Sequence, residues 1–579
     1  GSSDAEVASR SLSSATVSAS RARRYWVSSA CSNSAASSRR RSRPRCSSSL
    51  HTAANWVAPK LALLDLRLCA ACRGDAVTAA SKPFPCLKLH RCFIDNCIKR
   101  ASRHGLVRSR VSRLLEPVAD TRDAVRKKVI DYSEDFINHI ETINAYNASD
   151  EKGEGLFSFP ISDEPSDIEL VLSLLKNQVD HAGLNPASGG HLGYIPGGGI
   201  YYAALGDYLA DVFNRYAGVF FAGPGAVRME NMLIQWIADV MGYPKETVGN
   251  LTSGGSIANL IGIVCARDAS QIKARDYEKA VIYMTKQVHH SVDKAIRIAG
   301  LKECIIRHVP MDERHRMKAD DLERMIVLDK TNRLIPFLVI ASAGTTDVGA
   351  IDPLEEIGII ATRQEMWYHI DGAYGGFFTL TTEGKKKLKG IERSDSLVVD
   401  PHKGLFLPYG SGVVLARDRS RLSASHFYYA NYMQDAMQAT EEVSPADVSP
   451  ELTKHFRGLR LWLPLKLLGL KPFRACLEEK LLLSKYFYEE IQKLGFEVGP
   501  EPELSVVTYR YLPKTGDANE FNKRLVEEVQ KDGRVFISST MLEGNFTLRA
   551  AILSFRTHLQ TIDLLLEVLK EKVKMLERE

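Results

Sequence analysis

Apolar residues recur along this chain at two spacings, and the switch between them marks out its sections. From about Val118, residues Val125, Val129, Ile130, Tyr132, Phe136, Ile137 and Ile140 return at helical intervals with charges between them, which predicts an amphipathic helix. A loop at 150–155 separates it from a second helical stretch over 167–179. This arm, 116–199, has too little apolar surface to stand alone and is expected to pack on the main body or a partner subunit. From about 200 the apolar residues gather into short runs. Those at 281–284, 304–309, 334–342, 367–370, 397–399 and 412–416 predict strands, with helices at 291–299 and 320–328 between them. Such alternation predicts an α/β domain over 200–465 built on a mostly parallel sheet. The remainder, 466–579, reads as a smaller α+β domain. Its predicted elements are helix 480–494, strand 505–512, helix 518–532, strands 535–538 and 546–553, and helix 561–576.

Two of the predicted strands end in unusual chemistry. Strand 397–399 runs into Asp400, Pro401, His402, Lys403 and Gly404, and strand 367–370 runs into Asp371, Gly372, Ala373 and Tyr374. A lysine that can form a Schiff base, with an acid that can keep a pyridinium nitrogen protonated, is what pyridoxal phosphate requires. Either motif alone reads as well as a structural aspartate or a solvated lysine. Upstream, Thr252, Ser253, Gly254, Gly255 and Ser256 precede an apolar helix. Glycines there free backbone N–H groups at a helix start, which favours an anion, and Ser256 adds a hydroxyl. His289, between a strand and a helix, could stack on a planar ring, and Thr346 closes a strand ending in Gly344 and Thr345. All these groups fall at strand carboxyl ends or helix starts, the edge where open α/β sheets bind ligands.

Taken in order, Thr252 to Asn259, Val288 to Val292, Gly344 to Thr346, Asp352, Asp371 to Tyr374 and Asp400 to Lys403 resemble the group II pyridoxal-phosphate-dependent amino acid decarboxylases. That family includes aromatic-L-amino-acid, histidine and glutamate decarboxylases. The resemblance extends from about Ala119 to Lys574. It takes in His191 to Gly197 on the substrate side and His455 to Trp462 after the family's mobile loop. It implies the type I aminotransferase fold, pyridoxal 5'-phosphate as cofactor, an L-amino acid as small-molecule substrate, and a homodimer. Lys403 would hold the cofactor, Asp371 would pair with its ring nitrogen and His289 would stack on the ring with support from Thr346. Gly255, Ser256 and His402 would lie near the phosphate, Ala373 against the ring, and Tyr194, Pro196 and Gly197 on the substrate side. Lys403, His289 and Asp371 are the expected catalytic residues, and the expected reaction is decarboxylation to the amine, with an aromatic substrate favoured.

Two departures qualify that expectation. Many members carry a tyrosine in the mobile loop that returns a proton to Cα, and the stretch Pro445 to Glu451 has none; the nearest are Tyr428, Tyr429 and Tyr432. Without that acid, oxygen could compete and give an aldehyde. Gly197, Gly198 and Gly199 replace bulkier residues in the substrate wall, which suggests room for a large side chain. Other lyases or aminotransferases use the same cofactor set, so the set alone does not decide the reaction. A non-enzymatic relative would be expected to lose Lys403 or Asp371.

Composition and charge change the picture only at the start of the chain. The 579 residues carry a net charge of +6, but residues 1–115 hold 21 Lys+Arg against 5 Asp+Glu, leaving 55 and 65 for 116–579. An acidic body gives no reason to expect a nucleic-acid partner. The leader is rich in Ser and Arg and poor in acids, like an organelle transit peptide for plastid or mitochondrion. Seven of ten cysteines lie at or before Cys97, and Cys69, Cys72, Cys86, Cys92 and Cys97 fit a zinc ribbon poorly, so no metal site is expected. No run approaches the ~18 apolar residues of a membrane span, and no membrane association is expected.

Overall fold

Seven short runs, most of them buried along their whole length, assemble the sheet that organises the molecule. The structure, a computed structural model, describes residues 115–150, 152–427 and 442–578. The Ser/Arg-rich leader, its cysteines and Tyr428, Tyr429 and Tyr432 lie outside the described residues. The strands are β1 Val248–Thr252, β2 Ala280–Met284, β3 Ile305–His308, β4 Ile335–Ser342, β5 Trp367–Asp371, β6 Ser396–Val399 and β7 Gly412–Ala416. They lie in the order β1-β7-β6-β5-β4-β2-β3. β7 runs antiparallel to both neighbours, and the pairs from β6 to β3 are all parallel. Successive side chains of a strand point to opposite faces. Thus Val281 and Tyr283 enter one hydrophobic cluster, while Ile282 and Met284 enter another. A sheet covered on both faces explains why the runs are continuous rather than alternating.

The predicted strands all form within a residue or two of their expected bounds, except one. Residues 535–537 were expected to begin a strand, but in the second sheet β8 Phe496–Val498, β9 Val506–Tyr511, β10 Ser538–Leu542 and β11 Asn545–Ala551 pair antiparallel in the order β8-β9-β11-β10. The backbone of Phe536 is engaged elsewhere. Its N–H donates to Gly190 O at 2.9 Å and its carbonyl accepts from Leu192 N at 2.8 Å. Distant chain has claimed those groups, so sheet pairing starts only at Ser538. β1 was not expected, because Gly249 and Asn250 are poor strand formers. It forms by pairing with β7 along its whole length.

The two helices expected in the arm form, as Ala119–Asn138 and Ile168–Leu175. The first of these buries no residue and leaves Val125, Val129 and Ile130 exposed. No helix among the described residues is long and apolar enough to cross a membrane.

One buried ion pair holds β1, and with it the start of the Gly-rich loop. Lys454 Nζ, fully buried, lies 2.8 Å from Glu230 Oε2, itself 2 % exposed. It also donates to Asn250 Oδ1 and to Leu251 O. Glu230 Oε1 accepts from Gly458 N at 3.1 Å. Lys454→Met strands the Glu230 carboxylate, and is expected to cost about 3–5 kcal/mol, measured by urea unfolding. Lys454→Met with Glu230→Leu, which removes both charges, is expected to recover part of that loss.

Candidate active site

Parallel strands bring their carboxyl ends to one edge, and β4, β5 and β6 therefore deliver their following residues to a common cavity of about 430 Å³. Ser342, Asp371 and Asp400 stand at or just beyond these strand ends, and the Gly-rich loop after β1 closes the cavity from the other side. Gly255, Ser256, His289, Thr346, Asp371, Ala373, His402 and Lys403 all line it.

Lys403 sits on the short helix Pro401–Gly404, which Pro401 starts directly after β6 and Asp400. Its Nζ lies 3.1 Å from Asp400 Oδ2, and Asp400 is 1 % exposed. Asp371 Oδ2 accepts from Asn259 Nδ2 at 3.0 Å, and its Oδ1 accepts from Ala373 N at 3.1 Å. His289 caps its own helix, with Nδ1 accepting from Ser291 N at 3.3 Å, which leaves Nε2 as the proton-bearing nitrogen of the neutral ring. Burial lowers the pKa of His289 against the opposing pull of Asp371, so it stays neutral. His402 Nδ1 lies 2.5 Å from Ser411 O, and since a carbonyl only accepts, Nδ1 carries the hydrogen. Burial lowers the pKa of His402 as well. At the mouth, the helix Gly255–Ala269 begins at Gly254 with no side chain capping it, so its first N–H groups are available to an anion.

The substrate-side residues are not in that lining. Tyr194 takes a left-handed φ of 55° with an exposed ring, and its carbonyl accepts from Arg549 Nη2 at 2.9 Å. Pro196 and Gly197 run behind the lysine segment. A Cβ on Gly197 would come 2.0 Å from His402 O, and one on Gly198 would come 2.7 Å from Ser554 Oγ. Gly197 and Gly198 therefore serve close packing, which corrects the expectation of space at those two positions, while a Cβ on Gly199 would meet nothing within 4 Å. In the loop stretch without a tyrosine, Val448 is fully buried in a core cluster, and Pro445 and Ser449 are buried too.

Residue-type reasoning missed Asn259, Ser291, Tyr374 and Tyr409, which also line the cavity. Asn259, Ser291 and Tyr374 lie inside the segments that carry the resemblance, but their place at the cavity appears only when folding aligns them with Asp371 and His402. Asp400 was visible in its motif, but its contact with Lys403 was not.

The residues present suit a phosphorylated, ring-bearing cofactor. Asp400 Oδ1 is buried without a partner, a polar atom awaiting a donor. A Cβ on Gly255 would sit 2.9 Å from Asp400 Oδ2 and 3.2 Å from Ala373 Cβ, so glycine keeps the cradle open. An amine, a strand-end carboxylate, a neutral imidazole and an open helix start around one cavity define a pyridoxal-phosphate site of the type I fold.

Comparison with known proteins carries this further. The pyridoxal-dependent decarboxylase conserved domain matches residues 171–512. Aromatic-L-amino-acid decarboxylase of Bacillus atrophaeus is 35% identical over 394 residues, which cover 67% of this chain and 81% of that protein. Phenylacetaldehyde synthase of Arabidopsis thaliana is 26% identical, over 67% of this chain and 83% of that protein. The crystal structure of Oryza sativa TDC with PLP and tryptamine superposes with a TM-score of 0.74 at 24% identity, covering 79% of this chain and 99% of that one. The chain belongs to the pyridoxal-dependent decarboxylase family. It is a pyridoxal-phosphate-dependent carboxy-lyase acting on an amino acid.

Reduction of the cofactor-loaded enzyme with borohydride, followed by peptide mass mapping, should place the adduct on Lys403, and Lys403→Ala should carry none. Asp371→Ala should retain cofactor yet lose most turnover, measured by CO₂ release.

Proposed function

We propose that this enzyme decarboxylates an aromatic L-amino acid to the corresponding amine and CO₂. The observation that carries the residue assignment is the convergence of Lys403, Asp371 and neutral His289 on one cavity. The substrate class is supported by relatives described as aromatic-L-amino-acid, tryptophan and tyrosine decarboxylases. When bound, pyridoxal phosphate supplies an electron sink for the pair left at Cα as CO₂ departs. In this reading Lys403 offers the amine for covalent attachment. Asp371 keeps a negative charge at the ring-nitrogen position, held there by two donors. The uncapped helix start at Gly255 and the Ser256 hydroxyl would hold the phosphate, and the neutral ring of His289 would pack against the cofactor.

The proton returned to Cα distinguishes two outcomes. A bound water, or Tyr429 or Tyr432, could deliver it, giving the amine; the neutral His289 ring would be left as an imidazolate and is a poor acid for that step. A positioned acid is worth about 100- to 10,000-fold in rate, and without one, oxygen can compete to give aldehyde, ammonia and peroxide. The likeness to a phenylacetaldehyde synthase favours keeping that second reading.

The same reading includes a homodimer. Helix Ala119–Asn138 leaves Val125, Val129 and Ile130 exposed, and Phe157, farther along the arm, is 88% exposed. A second copy covering these side chains would bury them. The Ser/Arg-rich leader is read as an organelle-targeting segment.

Incubation with L-tryptophan, L-tyrosine, L-phenylalanine, L-glutamate and L-histidine, with amine, aldehyde, peroxide and CO₂ measured together, tests both outcomes. Amine equal to CO₂ from an aromatic substrate is expected; stoichiometric aldehyde and peroxide would transfer the assignment to the oxidative reading. Turnover confined to L-glutamate or L-histidine would overturn the aromatic assignment.

A further inference from the structure

Behind the cavity, a line of buried polar side chains leads from the sheet core to Asp371 and His289. Trp367 Nε1 donates to Ser396 Oγ at 2.9 Å. Ser396 Oγ lies 2.7 Å from His369 Nδ1, and His369 Nε2 lies 2.9 Å from Asn259 Oδ1. Asn259 Nδ2 then reaches Asp371 Oδ2 at 3.0 Å and Ser291 Oγ at 3.2 Å. Ser291 Oγ lies 2.7 Å from His289 Nδ1. Trp367, His369, Ser396, Asn259 and Ser291 are all buried.

The two ends of this line leave one arrangement of its hydrogens. An indole N–H can only donate, and an ionised carboxylate can only accept. Asn259 must turn its NH₂ to Asp371, so its Oδ1 faces His369 and Nε2 of that ring must carry the hydrogen. His369 Nδ1 is then an acceptor, and takes the hydroxyl hydrogen of Ser396, whose oxygen receives the indole N–H. The second hydrogen of the Asn259 amide goes to Ser291, whose hydroxyl hydrogen goes to His289 Nδ1. Burial lowers the pKa of His369 to about 4, consistent with the neutral ring this arrangement needs.

We infer that Asn259 and His369 are positioning residues that orient Asp371 and His289 together, through one directed hydrogen-bond relay starting at Trp367. Aligned donors polarise one another and stabilise a carboxylate that is only 8 % exposed. The branch at Asn259 couples the group assigned to the cofactor's ring nitrogen with the group assigned to its ring face. Loss of the relay leaves Asn259 free to turn its carbonyl oxygen toward Asp371, where it opposes the charge. The inference rests on the proposed role of Asp371.

The test uses dimer-competent full chain loaded with cofactor ¹⁵N-labelled at the ring nitrogen. The ¹⁵N chemical shift reports ring protonation, and kcat, KM and thermal unfolding are measured on the same samples. Asn259→Leu and His369→Leu are expected to move the signal toward an unprotonated nitrogen and lower kcat by about 10- to 100-fold, the range typical of outer hydrogen-bond partners of a functional group, with KM little changed. His369→Gln, whose amide can replace the Nε2–H donor, is expected to recover most of both. Ser396→Ala, a smaller change at the far side of the histidine, supplies a variant should the leucine substitutions unfold, and is expected to shift the signal in the same direction. Lower thermal stability with an unchanged signal and kcat would overturn the relay, leaving these residues as packing. Asp371→Asn, run in parallel, separates the two claims. If it moves signal and kcat while the relay variants move neither, the relay alone fails; if it moves neither, the role of Asp371 fails and the relay falls with it.

Discussion

A carboxylate kept at the end of a buried strand is the constraint on which the rest of this site depends. Asp371 closes β5 in the middle of the large sheet, where solvent cannot stabilise its charge. The fold supplies fixed donors instead: the backbone N–H of Ala373 on one oxygen and the amide of Asn259 on the other. Asn259 comes from a helix that packs across the sheet, so the carboxylate's environment requires the helix, the strand and the turn after it to be in register together.

The topology gathers the remaining chemistry around that point. β4, β5 and β6 are parallel neighbours, and their carboxyl ends place Ser342, Asp371 and Asp400 along one edge. The antiparallel β7 lies between β6 and β1, bringing the Gly-rich loop beside the lysine segment although some 150 residues separate them in the chain. The buried Lys454–Glu230 pair ties β1 to the segment that follows the loop region. The strand before the Gly-rich loop is thereby held twice, by its pairing with β7 and by the ion pair, while the lysine segment follows β6 of the same sheet.

Much of this was legible along the chain. The runs at 281–284, 334–342, 367–370 and 397–399 are uninterrupted because both faces of the sheet are covered, and continuous apolar runs are the signal such strands leave. The residues of the lysine and aspartate motifs were legible for a chemical reason: few combinations of side chains serve this cofactor, and they fall where strands end. β1 escaped notice because Gly249 and Asn250 carry no strand preference, and 535–537 misled because apolar residues were paired by remote backbone rather than by the sheet. Gly197 misled in another way. Its missing side chain looked like open space, yet the space is filled by the carbonyl of His402.

By itself, then, the sequence determined the order of most elements, the layered α/β class and a set of side chains that meet around one cavity. These depend on local periodicity and on side-chain chemistry, which are properties of short stretches. Only the tertiary structure decided which oxygen of Asp371 faces Asn259, which nitrogen of His369 carries its hydrogen, and that Val448 is core. Those outcomes turn on distances of about 3 Å between residues a hundred or more positions apart, where a hydrogen bond either forms or does not. No local pattern encodes such contacts, because they arise only when the sheet has set strands and helices side by side.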